Sequence, residues 1–244
     1  MTDLSKLKLF ATRPHPCSYL PGKDATTVFI DPAAAVDSSL YGELSRYGFR
    51  RSGANIYRPN CEACQACIPI RIAAESFQAN RSQKRCIKAN NDLVIRSVNT
   101  IDSDEHYKLY ENYINSRHKD GDMFPADRQQ YREFLTSEWG ATRLIEMRDQ
   151  EHRLVAVAVL DVLDHALSAV YTYFDSSDHK RSLGVFSILY QIQIAREHNL
   201  PFVYLGYWIR NCQKMNYKTN YQPYQILVNN HWVTISRENP LVDL

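Results

Sequence analysis

Three cysteines lie close together in the segment CEACQAC, as Cys61, Cys64 and Cys67. Thiolates bind soft or borderline metal ions, and two intervening residues let two thiolates reach one tetrahedral ion. A fourth cysteine, Cys17, precedes a Pro-Gly turn at 21–22 that could fold it back toward the other three. The pattern predicts a four-cysteine site for structural zinc or an iron–sulfur cluster. The alternative is a set of reduced, partly buried thiols without a metal.

The segment Arg181-Ser182-Leu183-Gly184 is a second candidate, because it precedes a predicted helix. Backbone N–H groups at a helix N-terminus can hold the phosphates of an acyl carrier. Acetyl-CoA enzymes usually carry the pattern Arg/Gln-x-x-Gly-x-Gly/Ala at this place. Arg181 and Gly184 match this pattern, but Phe186 replaces its last small residue. The alternative is a plain helix N-terminus.

The stretch from Leu154 to Lys218 is predicted to position these residues. Val155, Val157 and Val159 alternate with small residues as in a strand, and Asp164-His165 turns the chain into a second strand at 168–173. A helix with a wide apolar face follows from Ser182, and Pro201 restarts the chain as a short buried strand. A hairpin, a helix and a strand in this order predict the α+β, acyl-CoA N-acyltransferase-like (GNAT-like) fold, a mixed sheet with flanking helices.

The remaining segments fit the same fold. A strand at 92–98 precedes two helices with N-caps near Asp102 and Asp127, and a hairpin turning at Asn229-Asn230 closes the chain. We place a boundary just before the strand at 92–98. It divides the chain into a Cys-cluster domain at 1–90 and an acyltransferase-like catalytic domain at 91–244.

Composition limits the classes of partner. The chain has 244 residues, with 29 Lys and Arg against 27 Asp and Glu, so any nucleic-acid surface must be local. One local basic run, Arg81 to Lys88, could contact phosphates, but exposed basic residues are more often solvated surface. No apolar run is long enough to span a bilayer and the N-terminus has no signal-peptide pattern, so we expect a cytoplasmic protein without a membrane partner.

Several short segments, spread in order over nearly the whole chain, resemble the aminoacyl-tRNA–protein transferases. They match the bacterial aspartate/glutamate leucyltransferases most closely, and these are relatives of the eukaryotic arginyltransferases. The segments are Cys17 to Pro21, Gly48 to Gly53, Tyr57 to Pro59, CEACQACIPIR at 61–71, Ser168 to Tyr171, Arg181 to Gly184, Tyr204 to Tyr207 and Lys214 to Lys218.

The resemblance implies an enzyme that moves leucine from leucyl-tRNA to proteins with an N-terminal Asp or Glu and so marks them for degradation by the N-degron pathway. It also implies the GNAT-like fold. Eukaryotic relatives carry a Cys pair where this chain has Cys17 and Leu20, so the type of cluster does not carry over. Sequence spacing does not separate leucine from arginine as the donated residue, and an acetyl-CoA-dependent N-acetyltransferase is the other alternative.

Transfer from an aminoacyl ester needs no cofactor and no nucleophilic side chain, because the ester is already activated. Positioning and oriented hydrogen-bond donors are enough. We expect Tyr171 or Tyr207 to donate to the oxyanion. The remaining candidates are basic: Arg50, Arg51 and Arg71 for the acidic side chain of the acceptor, and Arg181, Lys214 and Lys218 for the 3′ end of the tRNA.

Overall fold

The computed structural model describes residues 4–240, apart from residues 120, 122, 138 and 140. The strands are β1 (Leu9–Ala11), β2 (His15–Pro16), β3 (Asp24–Ala25), β4 (Thr27–Ile30), β5 (Arg50–Ser52), β6 (Asn55–Pro59), β7 (Ile68–Ala73), β8 (Val94–Val98), β9 (Thr142–Arg148), β10 (Leu154–Leu163), β11 (Ala166–Phe174), β12 (Phe202–Trp208), β13 (Tyr224–Val228) and β14 (His231–Ile235). The helices are α1 (Ser38–Arg46), α2 (Arg81–Ala89), α3 (Asp104–Arg117), α4 (Arg128–Leu135) and α5 (Leu183–Glu197), with short 3₁₀ helices at Leu4–Lys6 and Gln213–Asn220.

An eight-stranded mixed sheet in the order β14-β13-β7-β12-β11-β10-β9-β8 forms the centre of the molecule. Neighbouring strands are antiparallel except β11 and β12, which are parallel and joined through α5. From β8 onward the chain runs strand, two helices, three strands, helix, strand, hairpin. The predicted α+β, GNAT-like arrangement is therefore confirmed.

Strand β7 comes from the part of the chain before residue 90, yet it lies inside this sheet between β12 and β13. Its Ile70 and Ile72 are fully buried. The rest of the N-terminal part forms a separate four-stranded sheet, β1-β4-β6-β5, and a small two-stranded one, β2-β3. One sheet thus crosses the boundary predicted before residue 91.

Strand β10 is buried on both faces, and its alternating residues enter two different cores. Ala156, Ala158 and Leu160 pack in the core with α5, whereas Val157 and Val159 pack in the core with α3 and α4. Side chains of a strand point alternately to opposite faces, so one apolar strand holds both helical layers in place. A third core packs α1 against the β10–β11 turn and β12.

Local capping agrees with most of the sequence signals. The Asp37 and Asp127 carboxylates accept hydrogen bonds from Leu40 N and Gln130 N, as an N-cap does. Asn229 and Asn230 both have positive φ in the closing hairpin turn. The N-cap of α3 is Ser103, one residue after the expected Asp102. Within residues 4–240, apart from the four exceptions, no helix is long and apolar enough to cross a membrane.

Candidate active site

Strands β11 and β12 diverge in the middle of the sheet. They pair only where Ala166–Ser168 lie beside Phe202–Tyr204, although both strands continue beyond that point. The register of β12 against β7 shifts at the same place, and Gly206 adopts a φ of +83° that favours glycine. The backbone groups of β11 beyond Ser168 and of β12 beyond Tyr204 therefore face a cleft, which we call the split.

One cationic side chain lies on each side of the split. Arg50 Nη2 donates to the Ala169 carbonyl of β11 at 2.5 Å, and Lys218 Nζ donates to the Tyr207 carbonyl of β12 at 2.6 Å. A Cβ at Gly206 would lie 3.7 Å from both Arg50 Nε and Lys218 Nζ, so the two cationic groups approach each other over this glycine. The two side chains are 8% and 6% exposed, respectively. The arrangement concentrates positive charge in a desolvated place.

The electrostatics of the pair differ between its members. Burial, followed by the Arg50 charge, lowers the pKa of Lys218 to about 7, against effects of Cys212 and Cys67 that raise it. Burial disfavours the charged amine, and a neighbouring cation adds to the effect. Arg50 Nη1 is buried and has no hydrogen-bond partner among the described residues. The split therefore offers an amine that can exchange a proton near neutral pH and a guanidinium N–H that points to no protein acceptor.

Tyr171 of β11 lies at the same cleft. Its hydroxyl is buried and has no hydrogen-bond partner in the part of the chain that the structure describes, while its ring packs edge-on against Phe134 and Tyr113. Burial, followed by Tyr113, Tyr110 and Tyr217, raises its pKa well above the usual tyrosine value. It therefore keeps its proton and is a hydrogen-bond donor.

Tyr217, in the segment Lys214 to Lys218 that matches the family motifs, links these groups. Desolvation and Tyr113 raise its pKa to about 12, while Arg50 lowers it, so it is within electrostatic reach of both. It lies one residue before Lys218 in the 3₁₀ helix and is 45% exposed. Its position shortly after the strand that ends at Trp208 predicts a place at the mouth of the fold, but the sequence alone assigns it no role.

Tyr207, the other predicted oxyanion donor, has a different position. Its hydroxyl donates to the Gly48 carbonyl at 2.7 Å, and it is buried with a pKa raised by desolvation. The Tyr207 hydroxyl thus holds the turn that leads into β5 in place. Through that turn Tyr207 helps to position Arg50.

Arg51 points into the protein and away from Arg50. Its Nε and Nη2 pair with the Asp161 carboxylate at 2.6 and 2.7 Å, and both side chains are fully buried. Its remaining N–H groups reach Thr142 and carbonyls at the end of α4. With its donors satisfied inside the protein, Arg51 is not available to pair with an acceptor substrate.

The other predicted basic residues are also outside the split. Arg71 stacks between Phe202 and Trp232, 3.5 and 4.1 Å from their ring centres, and burial lowers its pKa. Arg181 pairs with Asp92 at 2.7 Å and with Asp178 at 3.1 Å, at the start of α5. Lys214 is exposed on the 3₁₀ helix. Of the six basic residues predicted, the structure brings only Arg50 and Lys218 together.

The cysteines gather near the split without forming a ligand set. Burial, then the neighbouring thiols of Cys61, Cys17 and Cys64, raises the pKa of Cys67 to about 12. The Cys61 thiol instead donates to the Thr26 carbonyl at 3.8 Å. Among residues 4–240 outside the undescribed positions, no three His, Cys, Asp or Glu side chains are arranged to hold a metal ion. The four-cysteine site for zinc or an iron–sulfur cluster therefore stays a prediction.

The start of α5 lacks the side-chain cap and the small-residue loop of an acyl-CoA phosphate site. Ser182 has a φ of +51° and makes no side-chain cap, while the Arg181 carbonyl accepts hydrogen bonds from Asn90 and Cys86 of the α2 segment. Phe186 packs in the core, and a Cβ at Gly184 would lie 3.1 Å from the Phe174 ring. The end of helix α2 thus packs beside the start of α5.

Two sequence-family models match the chain: "Arginine-tRNA-protein transferase, N terminus" over residues 15–85 and "Arginine-tRNA-protein transferase, C terminus" over residues 105–228. The second match alone spans half of the chain.

Full-length relatives agree with these matches. The chain is 64% identical to the aspartate/glutamate leucyltransferase of Teredinibacter turnerae, over 96% of this chain and 97% of the relative. It is 58% identical to the same enzyme of Saccharophagus degradans, over 96% and 99%. Among solved structures, FemX is similar at 9% identity and a TM-score of 0.46, covering 86% of this chain and 82% of FemX. The chain belongs to the arginine-tRNA-protein transferase family, as its sequence motifs predict, and the curated relatives described here are aspartate/glutamate leucyltransferases.

Proposed function

We propose that this chain transfers leucine from leucyl-tRNA to the α-amine of proteins that begin with Asp or Glu, in the cytoplasm, and so marks them for degradation by the N-degron pathway. The names of its relatives support the donor and the acceptors. The observation that carries the proposal is the buried pair of Arg50 and Lys218 at the split, with Arg50 Nη1 lacking a hydrogen-bond partner among the described residues. A buried guanidinium N–H of this kind suits a carboxylate.

In the proposed reaction the acceptor binds with its acidic side chain on Arg50. The α-amine, once neutral, attacks the ester carbonyl carbon of the aminoacyl-tRNA, and an amide bond forms while the bond to the ribose oxygen breaks. Tyr171 donates to the carbonyl oxygen as it becomes an oxyanion, which preorganised donors stabilise strongly. After the attack, Lys218 takes the proton that the now positively charged nitrogen of the tetrahedral intermediate loses, and it returns that proton to the departing ribose oxygen, because an amine with a pKa of about 7 serves both steps.

The donated amino acid has a second candidate besides leucine. The family models are named for arginine, so arginine is the second candidate. An acetyl-CoA donor has less support, because Phe186 replaces the last small residue of the acetyl-CoA loop and the curated relatives are leucyltransferases.

The test offers purified protein a peptide that begins with Asp, together with leucyl-tRNA, arginyl-tRNA or acetyl-CoA, and weighs the product. We expect addition of leucine from leucyl-tRNA alone. Addition of arginine would identify arginyl-tRNA as the donor in place of leucyl-tRNA. Acetylation without tRNA would overturn the proposal.

The acceptor half is tested with peptides that differ only in their first residue. We expect Asp and Glu peptides to react and Asn and Gln peptides to react at least roughly 100-fold more slowly, because an unpaired buried charge costs several kcal/mol. Arg50→Gln should remove most of this preference, and Arg58→Gln, the matched control on neighbouring β6, should keep it. Equal rates for Asp and Asn peptides with the unaltered protein would contradict the acidic pocket.

A further inference from the structure

The described part of the chain has a second basic feature, outside the split, on helix α2. Four basic residues of this helix are exposed: Arg81, Lys84, Arg85 and Lys88. The last three lie three, four and seven residues after Arg81. That spacing puts all four on one face of the helix, along about 10 Å of its axis. None of the four forms an ion pair with a described residue, and residues 76–91 contain no Asp or Glu. In a chain with a net charge of only +2, this face is a local concentration of positive charge.

The opposite face of α2 is fixed at both ends. Near its start, Gln83 Nε2 donates to the Asn220 carbonyl at 3.1 Å; just after its end, Asn90 Nδ2 donates to the Arg181 carbonyl at 2.7 Å. Asn80 and Gln83 form a complete capping box at the N-terminus. These contacts hold the helix against the segment after Lys218 and against the start of α5, so its basic face is presented outward in a fixed direction.

A polar groove of about 480 Å³ adjoins the N-terminus of α2. Its walls include Ser76, Gln78, Asn80, Thr219, Gln222 and Ser236. This volume is in the range of ligand pockets, about 300–1,000 Å³. Amide and hydroxyl groups of this kind form hydrogen bonds to base edges and to ribose hydroxyls. The Gln222 Oε1 atom is buried and has no hydrogen-bond partner among the described residues, so the groove wall holds an acceptor that no described residue uses.

The groove and the split are close along the chain. Thr219 and Asn220, which line the groove, directly follow Lys218, whose amine lies at the split. The segment that lines this part of the groove therefore continues directly from the residue whose amine lies at the split. Asn80, the N-cap of α2, also lines the groove, so the groove adjoins the start of the helix that carries the basic face.

We propose that α2 and this groove are the docking site for the acceptor arm of the tRNA. The basic face of α2 contacts phosphates of the double-stranded stem, and the groove holds unpaired nucleotides of the 3′ end as they pass toward the split. The inference rests on the proposed function, since it assigns a place to the donor of that reaction. Double-stranded RNA is recognised mainly through its phosphates and 2′-hydroxyls, which fits a basic helix without aromatic residues.

The first test measures binding of an uncharged leucine tRNA transcript by fluorescence anisotropy between roughly 50 and 200 mM salt. The Lys84→Gln/Lys88→Gln variant should bind roughly tenfold more weakly. Its slope of log affinity against log salt should fall by about 1.4–1.8, because each phosphate contact contributes about 0.7–0.9. The Lys84→Arg/Lys88→Arg variant keeps the charge and the helix and should bind as the unaltered protein does. Lys108→Gln, at an exposed position of α3, should also leave binding unchanged.

The second test concerns the groove. An RNA minihelix with its unpaired 3′ nucleotides should bind more tightly than the same minihelix without them. Gln222→Leu should weaken only the complete minihelix, by roughly fivefold, the effect of about one hydrogen bond. Equal effects on both RNAs would remove the groove from the docking site.

Failure of the inference differs from failure of the proposed function. If the unaltered protein binds and uses leucyl-tRNA but the Gln variant of α2 has the same affinity and salt slope, α2 is not the docking site and the function stands. If that variant instead raises the KM for the acceptor protein and leaves tRNA binding alone, the basic face binds acidic protein and the inference is wrong. An unaltered protein that binds no tRNA overturns both.

Discussion

At the scale of single residues, the split is defined by groups whose hydrogen bonds are incomplete. Arg50 uses Nη2 on the Ala169 carbonyl and leaves Nη1 without a described partner, and the Tyr171 hydroxyl has none either. Buried polar groups in folded proteins are nearly always paired, so two unpaired groups at one cleft indicate a site that a ligand completes. Tyr207 and Arg51 lie next to these groups in space or in sequence, yet their donors are satisfied by the protein itself.

The two tyrosines give a first prediction. Tyr171→Phe should lower kcat by roughly 10- to 1,000-fold with little change in unfolding temperature, because it removes a donor to the oxyanion that is used only in the transition state. Tyr207→Phe should instead destabilise the fold by about 1 kcal/mol, since the Gly48 carbonyl loses its donor. Single-turnover kinetics and thermal unfolding of both variants check this. An unchanged kcat in Tyr171→Phe would remove Tyr171 from the chemistry.

Lys218 gives a prediction about pH and stability. Its pKa is about 7 in the folded protein against an ordinary value of 10.5, so folding releases a proton and stability rises with pH through this window. The free-energy cost of burying the charged Lys218 amine is complete below about pH 7 and absent above about pH 10.5. Lys218→Met should therefore be more stable than the unaltered protein by roughly 2–4 kcal/mol at pH 6.5, on the scale of about 1.4 kcal/mol per tenfold change in proton affinity.

Urea unfolding at pH 6.5 and at pH 9.5 measures this difference. We expect the advantage of Lys218→Met to shrink at the higher pH. A difference that does not depend on pH would mean that Lys218 is not desolvated as the structure has it.

At the scale of elements, one ion pair joins β5 to β10 and to the end of α4. Arg51 and Asp161 are both fully buried, and Thr142 of β9 also donates to the Asp161 carboxylate, at 2.9 Å. Arg50 and Arg51 are neighbours on a strand, so their side chains point to opposite faces. Fixing Arg51 in the core therefore directs Arg50 into the split.

This ion pair gives a third prediction. Arg51→Met should destabilise the protein by about 3–5 kcal/mol, because it leaves the Asp161 charge buried without its partner. The double variant Arg51→Met/Asp161→Leu should recover part of that loss. Arg58→Met, at a partly exposed position, should cost less than about 1 kcal/mol. Chemical denaturation of the three variants is the measurement, and equal losses in the single and double variants would contradict a charge-based cause.

At the scale of the whole molecule, β7 makes the N-terminal part a component of the central sheet. It pairs with β12 from Ile68 to Ala73 on one side and with β13 on the other, and it contributes Ile70 and Ile72 to the main core. Without β7, two strand edges would be exposed in the middle of the sheet. Unpaired edges and lost core residues both oppose independent folding.

We therefore expect the fragment 91–244 to lack a cooperative thermal transition when expressed alone, and to regain one when co-expressed with fragment 1–90. Circular dichroism melting of the fragment, of the co-expressed pair and of the full chain checks this. A cooperative transition in the isolated fragment would instead support the two independent domains proposed from the sequence.

The amino-acid sequence by itself determined the order of elements from β8 onward and the family, whereas helix α2 was visible only as a basic run. The alternation in β10, the apolar face of α5, the Asn229-Asn230 turn and the ordered motifs act through local periodicity and turn chemistry, which are written in consecutive residues. It also limited the site to a short set of arginines, lysines and tyrosines.

The tertiary structure alone decided which members of that set meet. Arg50 and Arg51 are adjacent and have the same side chain. Arg51 pairs with Asp161 in the core, whereas Arg50 points to the other side of the strand and faces the split. Lys218 has the sequence signature of an exposed basic residue, but the β12 bulge at Gly206 and the 3₁₀ helix enclose it beside Arg50. Such roles depend on contacts between residues more than 100 positions apart, and the energy of a buried charge is set by those contacts and not by its neighbours in the chain.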